Sequence, residues 1–105
     1  MVRAGRGGLL LSLTAVLAGC GGTGPLEELC LASGRAAANP ALCACVQSVA
    51  DRDLTRADQR LAQRFFSDPH LAQEVRQSDS PAREAFWDRY TAFGEEVERR
   101  CRRYR

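Results

Sequence analysis

The sequence predicts an all-α fold, a small disulfide-stapled bundle of about four helices behind a cleaved leader. Three observations carry this. Apolar residues recur at spacings of three and four over most of the chain, and no alternating run is long enough to be a strand. A capping residue followed by proline occurs at Asn39-Pro40, Asp68-Pro69 and Ser80-Pro81; the cap satisfies an orphan helical N–H, and proline at the first position forfeits no hydrogen bond. Once the leader is removed, four cysteines remain for a domain so small that its core alone would be marginal.

The leader occupies residues 1–19. It carries Arg3 and Arg6, an apolar run from Leu9 to Ala18, and small residues before Cys20, the layout of an export signal. That run is far short of the roughly 20 residues a spanning helix needs. Leu17-Ala18-Gly19-Cys20 reads as a lipobox, in which Cys20 is lipidated, with palmitate among its acyl chains, and becomes the first mature residue. Ordinary secretory cleavage after Ala18 competes, since Val16 and Ala18 suit it, but cysteine parity favours lipidation. With Cys20 acylated, Cys30, Cys43, Cys45 and Cys101 form an even set suited to two disulfides in an oxidising periplasm. Each buried methylene contributes about 0.8 kcal/mol, so two or three acyl chains hold a protein on a membrane without a spanning helix. Gly21, where Asp would favour inner-membrane retention in enterobacterial lipoproteins, points to the outer membrane. Residues 20–25 are expected to form a flexible tether and residues 26–105 the helical domain.

Leu26, Leu29, Cys30 and Leu31 suggest a helical turn or two before Gly34. From Pro40 to about Arg52, Leu42, Cys45, Val46 and Val49 fall on one face. Thr55 and Asp58 resemble a capping box ahead of Leu61, Ala62, Phe65 and Phe66, which predicts a helix over 56–66. Pro69 opens a short helix with Leu71, Ala72 and Val75. Pro81 opens the longest, where Phe86, Tyr90, Phe93, Val97, Cys101 and Tyr104 make a continuous stripe. Gly94 inside it costs about 1 kcal/mol relative to Ala, which suggests a helix passing close by. Phe65, Phe66, Phe86, Trp87, Tyr90 and Phe93 are the expected core.

Cys43 and Cys45, two apart, stand about 200° apart around a helix and cannot easily join each other. Cys45 and Cys101 both lie on apolar stripes, so they are expected to pair, leaving Cys43 for Cys30. In the chain-entropy model these loops contribute about 4 and 3 kcal/mol.

Among candidate sites, Cys43-Ala44-Cys45 has the makings of a redox pair, but a structural framework accounts for both thiols. His70 and Glu74 stand one turn apart yet lack further ligands, so no metal and no cofactor is expected. Arg76 and Asp79, with Trp87 and Arg89, could line a small anionic or amino-acid pocket. Arg102 and Arg103 belong to a C-terminal run of five Arg in seven residues that could meet lipid headgroups, or simply complement the helix dipole. All 15 basic residues are Arg; with Arg3 and Arg6 gone, 13 Arg face 13 Asp and Glu. That neutrality, with the export signal, argues against nucleic acid as a partner.

From Leu42-Cys-Ala-Cys45 through Asp58-Gln-Arg-Leu61, Phe65-Phe66-Ser-Asp-Pro69, Arg76-Gln-Ser-Asp79, Phe86-Trp-Asp-Arg-Tyr90, Phe93-Gly94 and Cys101, the chain resembles a family of small alphaproteobacterial lipoproteins. Some members carry the label "arginine transporter", without a mechanism attached to any residue. The resemblance implies an envelope protein and no site residue. The expected function is a non-enzymatic, membrane-anchored binding or structural module that meets an envelope protein partner. Two alternatives are an accessory or solute-binding component for arginine and a thiol-disulfide oxidoreductase built on Cys43 and Cys45.

Overall fold

The computed structural model describes residues 24–35 and 38–105, so the expected leader, Cys20 and most of the expected tether lie outside the described residues. Within them the chain is all-helical: α1 Pro25–Ala32, α2 Pro40–Asp53, α3 Arg56–Ser67, α4 Pro69–Arg76 and α5 Pro81–Cys101, closed by a 3-10 turn Arg102–Tyr104. That is one helix more than expected, because the stretch from Pro25 forms a full helix. Pro25 is its first residue rather than the last residue of a tether.

The local signals act as their chemistry requires. Asn39 caps α2 by accepting from the Leu42 N–H, and Asp68 and Ser80 do the same for Leu71 and Arg83. Thr55 and Asp58 form a reciprocal capping box at the start of α3. α1 has no such cap of its own. Its first N–H groups are instead satisfied from a distance by Gln47 of α2, whose Oε1 accepts from Leu26 and Glu27 at 2.9 Å each. Gln47 Nε2 donates to Asp51 and to Gln59 of α3, both at 2.8 Å, so one buried amide joins three helices. Gly24 lies so close that a Cβ there would meet the Gln47 amide, which those bonds prevent from moving aside.

α1 packs on α2 and α3, α2 on α5, and α4 against both α3 and α5. The apolar interior divides in two. One cluster gathers Leu26, Val49, Ala50, Leu54, Phe93 and Cys101 between α1, α2 and the C-terminal half of α5, with Ala62 of α3. The other gathers Phe65, Leu71, Val75 and Phe86 between α3, α4 and the first turns of α5. Tyr90 packs against both.

Two expectations about the core are corrected. Phe66 is 56% exposed, because only its neighbour Phe65 turns towards α5. Gly94 faces open space: a Cβ there would touch nothing within 4 Å, so no helix among the described residues passes close by. The stripe on α5 is buried through Phe86, Phe93 and Cys101, with Tyr90 and Val97 half-buried, but it ends in an exposed Tyr104.

Candidate functional site

The two disulfides are Cys30–Cys43 and Cys45–Cys101, the expected pairing. They leave α2 by opposite sides. Cys43, Gln47, Ala50 and Leu54, at spacings of four, three and four, form one buried stripe, and Cys43 is wholly buried beneath α1. Cys45 is half-buried on the other side, where α5 covers it. Cys43 and Cys45 are therefore held by different helices and do not pair with each other.

Between these staples α1, α2 and α5 converge without filling the space, leaving an apolar groove of about 350 Å3. Leu26 and Leu29 of α1, Leu42 and Val46 of α2, and Phe93 and Val97 of α5 form its walls. Each pair is three or four residues apart and so shares one helix face. The exposed ring of Phe66 borders the groove from α3, which gives that departure from the core a location. Polar groups are confined to Ser33, Arg35, Glu98, Arg102 and Arg105 among the lining side chains that carry formal charge or a hydroxyl, apart from Tyr90. Arg105 is committed to Glu98 at 2.6 Å. Arg35 and Arg102 have no carboxylate within ion-pair distance among the described residues, so the mouth carries net positive charge. Asn39 Nδ2 donates to the Tyr104 carbonyl at 2.9 Å and ties the C-terminal turn to the start of α2.

A second depression meets α2 on the neighbouring face that carries Cys45, lined by Ser48, Arg52, Arg100, Arg103 and Tyr104. Its cations are largely answered. Arg52 bonds Asp53 at 2.9 Å and reaches Glu96 at 3.4 Å, while Arg100 and Arg99 both bond Glu96. The Arg100 hydrogen bond, with the charges of Arg99, Arg100 and Arg52, holds the Glu96 carboxyl below its ordinary range. Arg103 lies over the Tyr104 ring at 5.3 Å.

The remaining candidates fall elsewhere. Arg89 grips Asp58 with two hydrogen bonds of 2.9 Å and so pins α5 to the start of α3. That grip, with the Thr55 N–H, lowers the Asp58 pKa against the opposing effect of burial. Trp87 packs on Phe65 and Tyr90 in the aromatic cluster, and burial raises the Tyr90 pKa. Arg76 ends α4, and Asp79 sits exposed in the turn before α5. Arg76, Asp79, Trp87 and Arg89 do not converge on the groove. Arg102 lies on its mouth and Arg103 on the second depression, more than a dozen residues, or roughly 20 Å of helix, beyond Trp87. His70 and Glu74 meet at 3.4 Å on an exposed face. No group of three or more potential metal ligands occurs among the described residues, and no described helix is long and apolar enough to cross a membrane.

Sequence reasoning missed the groove and the Gln47 hub. The signal for the hub was present as the second stripe on α2, hidden because one of its members is polar. The groove had no comparable signal, since Arg35 and Val97, far apart in sequence, line one space only once α1, α2 and α5 have packed. No family model matches the chain, and neither a curated protein nor a solved structure matches it.

Proposed function

We propose that this chain is a non-enzymatic envelope lipoprotein, anchored by lipid on Cys20 and presenting a disulfide-stapled helical binding module on the periplasmic side of the outer membrane. The observation that carries the binding role is the apolar groove of about 350 Å3 with a cationic mouth, held between two covalent bridges. Its size falls in the ordinary range for ligand sites. The anchor rests on the Leu17-Ala18-Gly19-Cys20 motif and on the cysteines, which form an even set only when Cys20 is set aside.

An arginine-binding accessory, the reading drawn from the family resemblance, has less support. A guanidinium ligand calls for a free carboxylate, and Glu98 at the groove is already paired with Arg105. The oxidoreductase reading has least, because a reactive thiol is exposed and activated by a lowered pKa, whereas Cys43 is wholly buried in a bridge.

Metabolic labelling with radioactive palmitate tests the anchor. The wild-type chain should take up label and sediment with outer-membrane vesicles, and Cys20→Ser should do neither. A labelled Cys20→Ser chain, or an unlabelled wild-type chain, would refute the reading.

A further inference from the structure

We infer that the groove binds a single-chain anionic amphiphile, a long-chain carboxylate whose tail lies between α1, α2 and α5 and whose head pairs with Arg35 and Arg102. This deepens the binding-module reading and rests on it. The walls at Leu26, Leu29, Leu42, Val46, Phe93 and Val97 offer hydrocarbon and no charge, so they select a tail. The mouth offers Arg35 and Arg102 with no protein carboxylate in reach among the described residues, so it selects an anion.

The lining of the site decides between kinds of occupant. The groove, about 350 Å3, has room for one extended alkyl chain against its aliphatic walls. A free amino acid would leave the apolar walls unused and would find Glu98, the acidic lining residue, already occupied by Arg105. The groove is also covalently framed. Cys30 and Cys101 both line it, so the bridges tie α1 and α5 to α2 at its walls.

The test uses the full chain carrying Cys20→Ser, with Val16 and Ala18 still placed for ordinary leader cleavage, oxidised and purified without detergent. It is titrated with dodecanoate below its micellar concentration while backbone amide resonances are followed by NMR. Saturable shifts are expected at Leu29, Val46 and Val97. Decanoate, two methylenes shorter, should bind about tenfold more weakly. The double variant Arg35→Gln with Arg102→Gln changes two exposed side chains; it should keep its fold by circular dichroism and lose about tenfold in dodecanoate affinity while dodecanol binding is unchanged. Shifts that never saturate or spread over the whole surface would overturn the proposal. So would equal affinity for dodecanoate and dodecanol, or saturable binding of an amphipathic helical peptide where dodecanoate fails. Palmitate labelling of the wild-type chain reads the anchor independently. A labelled, sedimenting protein whose Cys20→Ser form ignores dodecanoate would keep the lipoprotein reading and discard this one.

Discussion

The two ends of the molecule are held together by different physics. At one end α1, α2 and the last turns of α5 enclose mostly aliphatic side chains, and both disulfides lie there. At the other, α3, α4 and the first turns of α5 carry no bridge and rely on packed rings. Phe65 meets Phe86 and Tyr90 edge-on at 5.9 and 5.4 Å, and Phe86 stacks on Tyr90 at 5.5 Å. Such pairs add about 0.5 to 1.5 kcal/mol each beyond the area they bury. The difference shows what a covalent bridge permits. An end stabilised by packing must be filled, because each void forfeits dispersion contacts. An end stabilised by limiting the unfolded chain can keep a groove open, and that is where the groove lies.

The strongest way to break this comparison is to remove the longer bridge. Cys45→Ser with Cys101→Ser releases a loop with a sequence separation of 56 and should lower stability by about 4 kcal/mol in urea titration. Hydrogen exchange on the same variant should show α1 and α2 losing protection while α3 and α4 keep theirs. Uniform loss would mean the two ends are one cooperative unit.

The converse experiment is Phe65→Ala, which removes the ring at the centre of the aromatic end and should cost about 3 kcal/mol. Both disulfides should still form, as judged by thiol titration of the refolded protein.

A smaller effect, about 1 to 2 kcal/mol at neutral pH, is expected for Asp58→Asn, since the Arg89 side chain is 44% exposed and solvent screens the pair. Its pH dependence is diagnostic. Arg89 lowers the pKa of Asp58 in the folded protein, so the stabilisation is present above the ordinary aspartate range and is lost as pH falls below about 4. The gap between wild type and Asp58→Asn should therefore close on acidification; a constant gap would show that the pair contributes nothing through charge.

The smallest effect carries the opposite sign. Gly94→Ala should raise stability by about 1 kcal/mol, because the position is helical and open. A destabilised Gly94→Ala would reveal a neighbour that packs on this face.

Most of the helical framework was legible because its signals are local. Asn39, Thr55, Asp68 and Ser80 each cap the helix whose start they mark, through bonds to residues three positions on. α1 was read less clearly for the same reason. Its cap is Gln47, some 20 positions away, and no sequence window joins them. Phe66 was misassigned because adjacent aromatics look alike in sequence, although a 100° turn separates them on the helix. Arg89 was read as a candidate ligand contact; its partner Asp58 lies 31 positions away, and only the packing of α5 on α3 shows that the pair is internal.

By itself the sequence determined where α2, α3, α4 and α5 begin, and it set Cys43 and Cys45 on different sides of one helix, each facing its own bridge. Capping, proline placement and helical periodicity act over three or four residues, so they can be read directly. The tertiary structure alone decided that α2 buries two stripes, that Gln47 joins three helices, and that Arg35 and Arg102 flank one apolar groove. Those facts depend on which faces of several helices meet at once, and that is set by the packing of the whole domain around its two bridges.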